Sequence, residues 1–333
     1  MPHQSAADPL IFRSALRSDV GLIRENNEDA AFTDGDLLIL ADGMGGHSSG
    51  EVASAVAVHT FAAAAGDPPE SFSTAAHRTR QTLRAMSSAD ATLETMGTTV
   101  VALRVVGAQF YACHIGDSRL YTLRSGELTQ VTTDHTHVQH LVETGRITRE
   151  EIATHPYRAM LLKSLDDQSG GSEPDLVPLD LRPGDRVLLC SDGLSDYVPE
   201  QVITNILNLP DREEAADALV SAALRGGTRD NITVIVADVD SGAAGPADFA
   251  GAASEALALS EAAARALRKV NPEFAGPISG EAGEDDALTH TTLLPETRTS
   301  GAGEGNHQPG VPIAGILAAC SVVIVAVAAW LLI

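Results

Sequence analysis

Residues 37–46, LLILADGMGG, run from an apolar stretch into Asp42 and then into a glycine-rich turn. A short apolar run closed by turn residues reads as a buried strand. Residues 49–64 that follow carry helical spacing through Val52, Val56 and Phe61. The strand therefore ends in a carboxylate at a corner, and glycine beside it lets the backbone turn sharply.

The same corner recurs along the chain. Asp192 closes the apolar stretch RVLLCSD (186–192) and precedes Gly193; Asp117 follows Gly116 between FYACHI (110–115) and SRLYTL (118–123); Asp230 precedes ITVIVADV (232–239). One Asp-Gly pair is an ordinary turn. Several at the ends of apolar strands can converge on one edge of a sheet. Hard divalent cations want such converging carboxylate and carbonyl oxygens, with waters filling the rest.

Alternation and β-branched runs place strands near 11–17, 36–42, 98–106, 109–115, 118–124, 176–180, 186–191 and 232–239. Short turns at 106–108, 116–117 and 125–127 predict antiparallel hairpins. Helical spacing appears at 49–64, 72–89, 134–144, 200–207 and 212–225. Helices grouped between sets of strands favour an α+β class over alternating βαβ units.

After an N-terminal tail (1–10), residues 11–240 form the expected folded domain. Residues 137–171 are less regular and read as a flap beside the core. An Ala-rich helix is expected within 241–270, spaced through Phe249, Ala253, Leu257, Ala264 and Leu267. Residues 271–312, rich in Gly, Pro, Glu and Thr, read as a disordered linker. The uncharged apolar run 313–333 is long enough, at about 1.5 Å per residue, for one C-terminal transmembrane helix.

The net charge of −23 excludes nucleic acid as a partner by backbone repulsion. A phosphorylated substrate then needs a local arginine or bound cations. Cys113, Cys190 and Cys320 are unpaired by spacing, and no secretory segment opens the chain, so the folded domain is expected on the cytoplasmic side of a cell membrane that it joins by a single pass.

The blocks SDVGLIRENNEDAAF (18–32), LADGMGGHSSGEVAS (40–54), MGTTVVAL (96–103), HIGDSRLYTL (114–123), TTDHT (132–136), CSDGLSD (190–196) and GTRDNITVIVADV (227–239) resemble, in order, the metal-dependent protein phosphatases of the protein phosphatase 2C type. Their bacterial branch is the more similar one. The resemblance implies a four-layer α/β/β/α sandwich with two central antiparallel sheets. It implies two Mn²⁺ or Mg²⁺ ions bridged by Asp42, one also held by the Gly43 carbonyl and the other by Asp192 and Asp230. Asp117 would support a third, weaker ion. Glu28 and Asp29 match the acidic pair of the first block, with Asp29 orienting metal-bound water. Arg24 matches the phosphate-binding arginine, whose planar fork suits phosphate oxygens.

The implied activity is hydrolysis of phosphoserine and phosphothreonine by attack of a metal-bridging hydroxide, opposing Ser/Thr kinases and acting on them and their substrates at the bilayer. Met44 stands where relatives outside the bacterial branch carry a proton-donating histidine. His47, three residues on, is as readily a bystander, so a metal-bound water is left to serve as the acid. Thr98-Thr99 and Asp134-His135 are expected to be structural, and Arg158 in the flap a solvated charge. Two other readings stand beside this one. The first is an inert membrane-tethered scaffold of the same fold. The second is a Cys113-dependent phosphatase, because 113–119 fits C-x-x-G-x-x-R; Cys113 lies in an alternating apolar strand and Asp117 would repel a phosphate, which argues against it.

Overall fold

The chain, seen in a computed structural model, is described over residues 9–46, 49–168 and 173–242. In order the elements are β1 (Leu10–Asp19), β2 (Asp29–Thr33), β3 (Leu37–Met44), α1 (Ser49–Ala62), α2 (Glu70–Ala89), β4 (Gly97–Thr98), β5 (Val100–Val106), β6 (Gln109–Ile115), β7 (Arg119–Arg124) and β8 (Glu127–Gln130). They continue as α3 (His137–Glu143), a 3-10 turn (Arg149–Thr154), β9 (Leu165–Asp166), β10 (Asp175–Leu179), β11 (Arg186–Cys190), α4 (Asp192–Ser195), α5 (Glu200–Leu207), α6 (Arg212–Arg225) and β12 (Ile232–Ser241).

One sheet has the order β1-β12-β11-β7-β8 and the other β10-β6-β5-β3-β4-β9, with β2 paired to β3. Neighbouring strands run antiparallel.

Side-chain alternation makes the layers. Along β3, Leu38 and Leu40 enter a core shared with Val101, Leu103, Leu189 and Ile235 from both sheets. Leu37, Ile39 and Ala41 point the other way, onto Phe61 of α1 and Phe72 of α2. Along β11, Val187 and Leu189 face the shared core while Leu188 and Cys190 face Leu194, Ile203 and Leu219 of the helices on the far side. A period-two alternation with both faces apolar needs a cover on each side of each sheet, and α1–α2 and α4–α6 supply it. The expected α/β/β/α layering is present.

The structure differs from the sequence expectation at several joints. Gly116-Asp117 is not a hairpin turn: β6 lies in one sheet and β7 in the other, so this corner carries the chain across the sandwich. The expected strand 98–106 is split at Thr99, with β4 paired to Gly43–Met44 and β9. β2, β8, β9 and α4 are too short or too polar to show a period. Helix α3 starts at His137 rather than 134, because Thr136 caps it by accepting from the Gln139 amide at 3.2 Å.

Among the described residues no helix is long and apolar enough to cross a membrane. The apolar run 313–333, the Ala-rich segment 247–270, the linker 271–312, residues 1–8 and His47 lie outside the described residues.

The shared core should dominate stability. Replacing Leu40, fully buried between the sheets, by alanine is expected to cost about 2–5 kcal/mol in urea unfolding. Leu22→Ala, at a side chain 56% exposed, should change it by less than about 0.5 kcal/mol.

Candidate metal centre

Strand register collects the aspartates at one end of the sandwich. Asp29 and Asp42 are directly opposed across β2–β3. Asp29 shares its side of β2 with Ala31 and Asp42 shares its side of β3 with Leu40, and both of those residues face the inter-sheet core. β5 begins and β6 ends at this same end, since Val100 pairs with Ile115. In the other sheet Cys190, last in β11, pairs with Val234 near the start of β12. Asp192 and Asp230 therefore emerge together.

The backbone around these carboxylates is clamped by residues that the sequence marked only as structural. Thr99 donates its amide to the Asp42 carbonyl (2.9 Å), accepts the Asp42 amide on Oγ1 (3.0 Å) and shares a hydrogen bond with Ser118 Oγ (2.7 Å). One threonine thus ties the Asp42 peptide to the corner that bears Asp117. Thr98 Oγ1 adds a bond to the same carbonyl at 2.9 Å. At Gly116 the backbone adopts φ +111°, and a Cβ would stand 2.5 Å from Thr99 Cγ2. No other residue fits there.

Across the sandwich, Ser191 donates to Asp29 Oδ2 at 2.9 Å and accepts the Thr233 amide at 3.0 Å. Asn231 accepts the Glu28 amide on Oδ1 (2.8 Å) and donates to the carbonyls of Val20 (3.0 Å) and Asn26 (2.9 Å). Asn231 therefore fastens the loop carrying Arg24 to the turn that carries Asp230 ahead of β12. Arg24 stands at the rim, its Nη2 2.8 Å from Asp230 Oδ2 and its Nη1 3.5 Å from Glu28 Oε2. Glu28 is buried beneath Gly50, where a Cβ would come within 2.8 Å of its carboxyl carbon.

The charges explain why this arrangement calls for a cation. Burial, followed by the carboxylates of Asp29, Asp192, Asp117 and Asp230, holds Asp42 well above the usual carboxylate range. Burial and then Asp117, Asp230, Asp196 and Asp29 do the same to Asp192, whose buried Oδ1 has no hydrogen-bond partner. Burial pushes Asp29 up to about 7 against the bonds from Thr233 and Ser191. Asp117 also rises to about 7, through burial and then Asp134 and Asp196, with Arg119 opposing. Clustered like charges with an orphaned oxygen fit a hard divalent ion, whose preferred donors are all oxygen. Among the described residues, no group of three His, Cys, Asp or Glu side chains is gathered closely enough to hold an ion unaided. A backbone carbonyl such as that of Gly43 and coordinated waters would complete the set.

All the sequence-predicted residues except His47 are placed. Asp29, Asp42, Asp117, Asp192 and Asp230 act on one another, Gly43 adjoins Asp42, and Arg24 and Glu28 flank Asp230. Met44 is half-buried and paired with Gly97; its thioether carries no proton. Arg119 grips Asp134 through Nε (2.9 and 3.1 Å) and Nη2 (2.6 Å). It is thereby committed away from any phosphate, while burial drives the fully enclosed Cys113 thiol strongly upward. Both observations argue against the cysteine-dependent reading. A groove of about 630 Å³ runs from Asp117 and Asp192 beneath the flap to Arg149 and Arg158. Arg158 is not wholly solvated: its Nε lies 4.0 Å from Asp196.

Comparison with known proteins places the fold in a family. A family model described as Protein phosphatase 2C matches residues 24–225, and the chain belongs to that family. The serine/threonine protein phosphatase PstP of Mycobacterium tuberculosis is 46% identical over 235 residues, which cover 69% of this chain and 45% of that protein. The chain thus spans less than half the length of that relative. The serine/threonine phosphatase stp of Listeria monocytogenes is 37% identical over 242 residues, covering 68% of this chain and 95% of that protein. The catalytic domain of PstP in complex with two manganese ions superposes with a TM-score of 0.65 at 44% identity, over 69% of this chain and 99% of that one.

The carboxylate cluster has a thermodynamic signature. A carboxylate raised in the fold from 3.8 to about 7 binds its proton more tightly folded than unfolded. Its stabilising contribution is therefore present at low pH and lost as pH rises from about 4 to about 7. In chelator, the melting temperature should fall between about pH 4 and 7, and saturating Mn²⁺ should abolish the fall. A chelated protein whose melting temperature stays level or climbs over that window contradicts the mutual repulsion.

Proposed function

We propose that the protein is a Mn²⁺- or Mg²⁺-dependent protein serine/threonine phosphatase. The observation that carries this reading is the cluster of Asp42, Asp117, Asp192 and Asp230, mutually repelling and half-buried, with Arg24 fixed beside it. Asp42 would bridge two ions, with the Gly43 carbonyl on one and Asp192 and Asp230 on the other, and Asp117 would support a third. Bound there, the ions supply Lewis acidity, lowering the pKa of water towards neutrality and offsetting phosphate charge.

The protein's own groups do the rest. Arg24, released in part from Asp230, presents two N–H donors to the phosphoryl oxygens and strengthens its grip as charge spreads over them in flight. Asp29, held by Ser191, accepts from water and keeps it oriented. Met44 has no proton to give, so the leaving serine or threonine oxygen takes its proton from water. The groove below the flap, which starts at Asp117 and Asp192, receives peptide that flanks the phosphorylated residue. PstP and stp bear serine/threonine phosphatase names, which favours phosphoserine and phosphothreonine proteins, Ser/Thr kinases and their targets among them, as substrates.

We further assign the run 313–333 to a single-pass anchor that confines the domain to the cytoplasmic face of a cell membrane and raises its effective concentration toward bound phosphoproteins.

The purified chain should release phosphate from a phosphothreonine peptide only with Mn²⁺ or Mg²⁺ present. Asp192→Asn should lower kcat by about 10²-fold or more, and Arg24→Ala should lower kcat/KM by roughly 10²-fold. A wild-type domain that is inactive with either metal returns the chain to the scaffold reading. For the anchor, the full chain should sediment with membranes and resist high salt, and a chain ending at residue 312 should stay in the supernatant. Equal partition of the two removes the membrane assignment.

A further inference from the structure

His135 lies outside the residues assigned to the centre, yet it makes more directed contacts with the Asp117 corner than any assigned residue. Its amide donates to the Gly116 carbonyl at 2.8 Å, and its ring Nδ1 accepts the Gly116 amide at 3.1 Å. Both polar groups of one peptide corner are thus held by a single residue. The corner itself has no slack, since Gly116 lies at positive φ against Thr99.

The same histidine closes the base of the flap. Its carbonyl accepts the Leu162 amide at 2.7 Å, Thr136 bridges to Leu161, and the His137 amide donates to the Met160 carbonyl at 2.8 Å. Residues 135–137 and 160–162 therefore form a short seam from which the flap hangs. At the outer edge of the ring, Nε2 lies 3.1 Å from Asp175 Oδ2, and Lys163 Nζ is 2.9 Å from Asp175 Oδ1.

The ring chemistry is determined by these partners. Burial, more than the neighbouring Lys163, lowers the pKa of His135 despite the pull of Asp175, so the imidazole is neutral. Because Nδ1 accepts, the proton is on Nε2, which donates to Asp175. Lys163, 3.3 Å from that nitrogen, cannot donate to it and bonds to Asp175 instead. The opposite face of the ring is stacked on His114 at 4.7 Å and 28°; His114 is itself buried, and burial lowers its pKa to about 3.

We propose that His135 is a positioning residue that locks the Gly116–Asp117 corner to the base of the flap, so that the Asp117 carboxylate and the flap are placed as one unit. Histidine suits the place because one rigid ring accepts from the corner on one nitrogen, the bond that holds the corner, and donates to Asp175 on the other. Asparagine can reproduce the first bond and glutamine the second, but neither reproduces both. Reorienting substrate under the flap is in this way tied to the position of Asp117. The effect on turnover rests on the phosphatase reading; the hold on the corner does not.

The test uses the full chain with Mn²⁺ and three variants, followed by amide hydrogen exchange across residues 114–118 and by turnover of a phosphothreonine peptide. His135→Ala and His135→Gln should both speed exchange at Gly116 by about fivefold or more and lower kcat about tenfold. His135→Asn should recover slow exchange at Gly116 and most of the turnover. Equal impairment by asparagine and glutamine would reduce His135 to a packing residue, and unchanged exchange in all three would remove the proposal. An inactive wild-type chain would overturn the phosphatase reading while leaving the exchange comparison decisive for the corner.

Discussion

Repulsion among aspartates gathered at one end of the sandwich is the constraint around which the rest of this domain is arranged. Asp29 and Asp42 face each other across a strand pair, and like charges so placed oppose pairing. Asp117, Asp192 and Asp230 add their own fields. Folding tolerates this only because the apolar layers behind it are extensive. The inter-sheet core and the two helix-covered faces hold strands whose ends would otherwise separate.

Restraint of the backbone is the second requirement. Thr99 holds the Asp42 amide, Ser191 the Thr233 amide and Asn231 the Glu28 amide, so each ties its own segment to another and the carboxylates cannot relax apart by shifting their strands. Glycine enters where backbones must touch. A Cβ on Gly43 would lie 2.0 Å from the Gly50 carbonyl oxygen, and one on Gly193 would lie 1.9 Å from that of Asn231. These contacts keep the start of α1 and of α4 against the strand ends that carry the acids. A centre built in this way would bind cations as counter-charge to its crowded carboxylates, which would couple metal occupancy to stability.

The outer part of the flap, residues 149–163, joins this framework by hydrogen bonds rather than by a core. Among residues 149–163 none is fully buried, whereas its base is pinned at His135 and at Lys163–Asp175. Such a segment can adapt to different peptides while its attachment stays in register with the corner that bears Asp117.

Much of this was legible in the amino-acid order. Long strands such as β1, β6 and β12 show their period in sequence, and so do helices α2, α5 and α6. The aspartates of the centre were visible because each lies at an end of a strand, with Asp42, Asp117 and Asp192 beside a glycine. Short elements were not: β2, β4, β9 and α4 hold too few residues for a period, and tertiary pairing alone makes them. Gly116-Asp117 looked like a hairpin because local turn chemistry says nothing about which sheet the next strand will join. Thr99 and His135 read only as structural and Asn231 carried no signal of its own, since a hydroxyl, an amide or an imidazole becomes a clamp only when distant backbone groups arrive beside it. The sequence by itself determined which side chains could bind and where strands would end, because those are properties of residue type and local period. Only the tertiary structure decided that those ends meet, since convergence depends on register between segments up to about 200 residues apart, Arg24 and Asp230 among them.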